Sequence, residues 1–480
     1  MARINTNTAA IIAGRQLIRS QQALSVSLER LSSGLRINRG ADDPAGLIVS
    51  ENLRAEIQSV KQAIANSQRA SNVIATTEGA LNEVASLLSD IQGKIIEAAN
   101  VGAISDEEIQ ANQMQIDSAI ASITRIANTT TFAGRKLLNG SLGYIASGIN
   151  TTEITDVRLN GVSFGTSSYI PVTVNVIQSA QHAQLEFRTS CITQDATLEI
   201  AGLTGVTTLP LLSGTTADDI RAAINQVSDA TGISASFIND AVPTSGLVIS
   251  SIGYGSDAFV QVKELGDTTG VFSTYNADNE TVDRDIGRDA SATVNGANSL
   301  GKGLELFLNT SGLSVELRLK EAFNKIGSTS FAITGGGATF QLGSGVDSNQ
   351  QVSLGVQSIA ASNLGTADYG YLTQVSSGGE YALTNGGASQ AAKIVEEAIR
   401  QISILRGRLG AFEKNTLDTN VNQLQIATEN LTAAESSIRD LDFAQETSNL
   451  TRAQILVNAG TSVLAIANQT PQSVLSLLRQ

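Results

Sequence analysis

Apolar residues recur at alternating three- and four-residue spacings along both ends of the 480-residue chain, and the middle lacks that pattern. Leu17, Leu24, Leu28, Leu31 and Leu35 form one stripe. Leu53, Ile57, Val60 and Ile64 form the next, followed by Leu81, Val84, Leu88, Ile91 and Ile95, and by Ile109, Ile116, Ile120 and Ile123. Near the other end Leu417, Leu424, Leu431 and Ile438 repeat every seven residues, as do Leu450, Val457 and Leu464. This spacing gives each helix one narrow apolar seam that it buries against a partner helix. Seams at both ends predict a long coiled-coil helical bundle built from the two termini together.

Punctuation supports the helices. Asp42-Asp43-Pro44 offers capping side chains ahead of a proline at an early helical position, and Gly40 is the expected stop of the preceding helix. Ser105-Asp106-Glu107-Glu108 places acids at the positive end of another helix. From about Ser141 to Gly387 the texture turns to Gly, Ser and Thr with short runs of β-formers. Tyr169–Ile177, Ala235–Ile238, Gly246–Ser250 and Phe331–Thr334 read as strands, and Thr216–Thr231 reads as a helix among them. The predicted fold class is therefore α+β, with a central β-rich insertion looped out between helical flanks that meet in space.

Composition narrows the chemistry. With 31 Lys and Arg against 45 Asp and Glu, the net charge is −14, which disfavours a nucleic-acid partner. A single His (His182) and a single Cys (Cys191) leave too few residues for His-based triads, HExxH helices or Cys-rich zinc sites. No catalytic residue, cofactor or metal site is expected. Cys191 is expected as a small apolar filler, and His182 as an ordinary surface or packed residue. No membrane-length apolar stretch is expected, nor a cleavable export signal in the first residues.

Two motifs imitate binding sites. Gly296–Gly303 resembles a phosphate-binding loop, but Gly303 stands where the magnesium-holding hydroxyl is needed. Asn276, Asp278, Glu280, Asp283, Asp285 and Asp289 cluster acids without the spacing of a calcium loop, and read as a solvated acidic segment.

Leu31–Arg54 (LSSGLRINRGADDPAGLIVSENLR) and Ile438–Arg479 resemble bacterial flagellin, as do Thr77–Glu83 (TEGALNE) and Phe132–Gly140 (FAGRKLLNG). Together these cover roughly residues 1–140 and 390–480. Thr197–Val262 is similar to a β-α-β module that recurs in flagellins and hook-associated proteins. The resemblance implies a structural, non-enzymatic subunit that self-assembles into the flagellar filament for motility; a hook–filament junction protein is the alternative it leaves. It implies an inner terminal coiled coil lining a lumen (1–42 and 447–480), a helical rod (43–145 and 386–446) and an outward-projecting insertion (146–385). It further implies type III export to the cell exterior, and as partners further copies of the chain, an export chaperone, the filament cap and hook-junction proteins. The helical stripes named first would be the assembly seams. Flagellins detected by the animal toll-like receptor for flagellin carry an arginine where this chain has Asp90, which implies weak receptor activation.

Overall fold

The computed structural model describes residues 6–165, 167–266, 270–310 and 312–477. Residues 1–5 and Arg479 of the C-terminal motif lie outside the described residues. Eight helices are described: α1 (Thr8–Ser33), α2 (Pro44–Ala98), α3 (Asp106–Thr129), α4 (Ala217–Gln226), α5 (Ser228–Thr231), α6 (Ala388–Phe412), α7 (Thr419–Arg439) and α8 (Phe443–Leu477). Two compact units divide the chain. One takes the described residues up to Arg69, Gln341–Val346, and the residues from Lys414 onward; the other takes Ala70–Phe340 and Asp347–Glu413.

In the first unit α1 and α8 run antiparallel. The Asn7 amide donates to Ala467 O at 2.7 Å, Leu17 lies against Gly460, and Arg30 faces Glu446 at 4.0 Å. Helix α1 starts at Asn7, whose Oδ1 accepts from Ala10 N. It stops at Gly34, not at Gly40. Gly34 takes the left-handed conformation (φ 72°) and returns its N–H to Arg30 O, a glycine C-cap six residues earlier than the sequence suggested. The link beyond it pairs with the α7–α8 link: Arg36 N donates to Arg439 O at 2.7 Å, and Leu441 N to Gly34 O at 3.0 Å. Asp43 caps α2 by accepting from Gly46 N at 2.9 Å, with Pro44 as the first helical residue.

Along α2 the buried positions are Ser50, Ile57, Val60, Ala63, Ser67, Ala70, Ile74, Thr77, Leu81, Val84, Leu88, Ile91, Ile95 and Ala98. Their steps alternate three and four without a break after Val60, which is a heptad seam. In the second unit α2 meets α6 in antiparallel fashion, with Ser71 hydrogen-bonded to Glu413 and Glu78 facing Arg406 at 4.0 Å. Helix α3 opens with the capping box Ser105/Glu108. Its buried Gln113 donates to Val375 O at 2.9 Å and accepts from Leu383 N at 2.8 Å, so one amide fixes the segment 372–385 onto the helix.

The β-rich part of this unit holds two cores. In the first, a five-stranded sheet (Ala297–Asn298, Ser291–Val294, Ile170–Gln178, Gly327–Gly336, Tyr144–Ser147 in spatial order) faces a four-stranded one (Leu300–Lys302, Glu305–Asn309, Leu313–Leu319, Ile154–Val162). Val172, Val174 and Ile333 of the first sheet are buried in one core with Leu306, Val315 and Leu317 of the second. In the other core, Gln184–Phe187, Leu247–Ser251 and Ile233–Phe237 form one sheet with Thr274–Tyr275. Phe259–Leu265, Ala196–Ala201 and Val206–Leu211 form a second with Arg284–Ile286. Helix α4 buries Ile220 and Ile224 there. The predicted strands and the predicted helix are all present, the helix ending at Val227 before the short α5. The core that the 197–262 segment joins runs from Ala183 to Phe272. It is entered and left through a single antiparallel bridge, Gln181 to Arg288, with N–H···O distances of 2.7 and 3.0 Å. The α+β class and the paired helical ends expected from sequence are thus observed.

Candidate assembly surface

The α1–α8 pair is built from two facing seams. On α1, Ala13, Leu17, Ser20, Leu24, Ser27 and Leu31 turn inward; on α8, Glu446, Leu450, Ala453, Val457, Gly460, Leu464 and Ala467 do so. Small residues hold the most buried places, among them Ser20, Ser27, Ala453 and Ala467, which lets the helix axes approach closely. Ser20 satisfies its hydroxyl on Gln16 O. Glu446 is buried but lies beside Arg30 and receives a hydrogen bond from Asn449 at 3.3 Å.

Among the residues predicted from spacing, Leu17, Leu24, Leu31, Leu450, Val457 and Leu464 lie half-buried on these seams. Leu424, Leu431 and Ile438 are half-buried along α7. Leu417 is fully buried in a π-helical turn, Glu413–Asp418, that joins α6 to α7. Two of the predicted residues lie off the α1–α8 seam within the subunit. Leu28 falls on the far side of α1 and is 51% exposed, because its spacing fits the stripe only through Leu24 and Leu31. Leu35 lies beyond the helix end, in the bridge to Asp440. Asp90 is exposed on α2.

Spacing alone missed a second set of apolar side chains. Ile11, Ile12, Ile18 and Val26 on α1, and Phe443, Ile455, Leu456, Val463 and Ile466 on α8, are exposed, Ile11 by 66%. The signal for them was the mean hydropathy of α8. Within Phe443–Gln469 an 18-residue window reaches 1.2 with at most two charged residues, and 11% of that window is buried. The expectation of no membrane-length apolar stretch is therefore corrected: α8 passes by length and composition, because Leu, Ile, Val and Ala outnumber the polar residues between Ala453 and Ala467, although Thr451, Gln454, Asn458 and Thr461 keep one stripe polar.

The other singled-out residues are engaged locally. The His182 ring stacks on Tyr254 at 3.7 Å, and its Nδ1 lies 3.1 Å from Gly253 O. Tyr254 donates to Glu321 at 2.7 Å; burial and that carboxylate push the phenol up to about 12. Within the phosphate-loop look-alike, Gly303 N donates to Asp289 at 2.7 Å and Lys302 pairs with Asp257 at 3.0 Å, so the motif is a tight β connection. In the acidic segment Asp289 also accepts from Ser256, and Asp285 from Gln184 N. Cys191 is exposed, not buried, and forms a bridge to Thr216, while the adjacent Ile192 turns inward.

Paired terminal helices with uncovered apolar faces, flanking a β-rich insertion, define the subunit of a helical assembly. The bacterial flagellin N-terminal helical region matches residues 4–142, the bacterial flagellin C-terminal helical region residues 392–478, and the flagellin hook IN motif residues 197–253. Flagellin of Salmonella rubislaw is 30% identical over 99% of this chain and 99% of its own length. The B-type flagellin of Pseudomonas aeruginosa is 30% identical with the same two coverages. Among solved structures, the flagellar junction protein FlgL from Legionella pneumophila covers 82% of this chain and 100% of its own, at 13% identity and a TM-score of 0.29. The chain belongs to the bacterial flagellin family.

Proposed function

We propose that this chain is the structural subunit of a bacterial flagellar filament, exported to the cell exterior, and that it performs no catalysis. The observation that carries the reading is the uncovered apolar surface of α1 and α8. Each helix satisfies one face within the subunit and exposes the other, and copies of the chain are the partners able to cover it. Burial of that surface stabilises the polymer by roughly 25 cal/mol per Å². In this reading the terminal segments (1–42 and 447–480) line the lumen, the helical stretches 43–145 and 386–446 form the rod, and 146–385 face outward. An export chaperone covers the apolar ends before assembly, and the filament cap and hook-junction proteins meet the two ends of the polymer. Asp90 lacks the bidentate donor of the family arginine, so weak stimulation of a receptor reporter cell line is expected.

The purified chain should form long tubes by electron microscopy. A chain lacking Leu450–Gln480 should stay monomeric with its β-rich cores intact by circular dichroism. Ordinary filaments from the truncated chain would overturn the reading.

A further inference from the structure

A groove of about 420 Å³ opens in the second unit, between α6 and the sheet that contains Ile154–Val162 and Leu313–Leu319. Its polar centre is unusual. Arg408 comes from α6, and Glu316 and Arg158 come from neighbouring strands. Arg158 is occupied: its Nε donates to Asp156 at 2.9 Å, and Glu316 lies no nearer than 4.0 Å. Arg408 has neither a hydrogen bond nor a close ion pair among the described residues, and burial lowers its pKa. Glu316 has a side chain only 13% exposed, and burial holds its carboxyl above the usual range despite the nearby arginines. Both groups retain contact with solvent through the groove, since neither is among the sealed polar atoms that lack a partner.

The hydrogen-bonding groups that the protein leaves open to solvent select the occupant. A carboxylate brought to Arg408 would be repelled by Glu316, and an ammonium brought to Glu316 would be repelled by Arg158 and Arg408. A neutral carboxamide suits both, its carbonyl accepting from the guanidinium and its NH₂ donating to the carboxylate. The rim adds exposed Ile404 and Tyr371, giving the aromatic, apolar and arginine content of an interface centre. The flanking helices of this same chain expose such amides, among them Gln62, Asn72, Asn82, Gln110 and Gln115.

We propose that this groove is a contact site between copies of the chain, in which an Asn or Gln side chain of a second copy bridges Arg408 and Glu316. The inference rests on the filament reading. Arg408→Gln and Glu316→Gln should each raise the critical concentration for polymerisation about tenfold, the effect of losing one charged hydrogen bond, while monomer thermal unfolding stays unchanged. The exchanged pair Glu316→Arg with Arg408→Glu should recover assembly, because a carboxamide can turn end for end. Loss of assembly in a folded exchanged pair would instead indicate a charged occupant and overturn the proposal. Unchanged critical concentrations in the single variants would also overturn it. A filament map at side-chain detail provides a check that does not depend on variant folding: an amide between residues 316 and 408 is expected, and water alone there refutes the site. Wild-type tubes form in every one of these outcomes, so failure here is separate from failure of the filament reading.

Discussion

Gly460 faces Leu17 so closely that an added Cβ would lie 3.3 Å from Leu17 Cδ1 and 3.7 Å from its Cα. The side-chain end could yield; the backbone could not. Gly460→Leu should therefore overpack the α1–α8 contact by about 1–3 kcal/mol. Polymerisation should either fail or give filaments locked in one helical shape, judged by microscopy across a range of pH and salt. A different residue governs acid sensitivity. Burial opposes ionisation of Asp117, but hydrogen bonds from Ser377 Oγ and N and from Gln113 outweigh it, so its pKa is lowered. A depressed carboxyl contributes stability that is present above its unfolded value near 3.9 and is lost as pH falls through its folded value. Asp117→Asn should lower the melting temperature at pH 7 and converge with the parent as pH falls below the lowered value of the folded Asp117, measured by thermal denaturation.

At the scale of elements, the bridge between Gln181 and Arg288 is the neck of the second β core. Excising only 197–262 would strip Gln184–Phe187 of its neighbour Leu247–Ser251 and Arg284–Ile286 of the paired residues Phe259–Gln261. Removal of residues 182–287 with a short linker should instead leave the first core folded. The shortened chain is expected to polymerise into thinner filaments of normal length, measured by electron microscopy, and an absence of filaments from a folded shortened chain would contradict this. The helices were legible in the sequence because a heptad seam writes itself into spacing, as the unbroken run from Val60 to Ala98 illustrates. Their ends were less so. The sequence pointed to Gly40 as the stop of α1, but the chain turns at Gly34 into the tertiary pairing of Arg36 with Arg439, which no local pattern encodes. The neck was invisible for the same reason, since its two residues are more than a hundred positions apart. The polar groove was likewise hidden, because Arg158, Glu316 and Arg408 carry no common motif and converge only through sheet register.

For the whole molecule, charge and apolar surface pull assembly in opposite directions. Every copy carries a net −14, so bringing copies together costs electrostatic repulsion that salt reduces. The exposed apolar faces of α1 and α8 gain from salting-out ions as well. Polymerisation monitored by light scattering should accelerate as sodium chloride rises, and more steeply with sulfate at equal ionic strength. A rate indifferent to ionic strength would mean that the contacting surfaces carry little of the net charge.

Cys191, exposed beside the inward-turned Ile192, is the sole thiol of the chain. A polymer of this subunit would thus present one identical nucleophile per repeat, a ruler of evenly spaced labelling points. A maleimide dye or gold cluster placed there would report subunit number, spacing and the growing tip without any substitution.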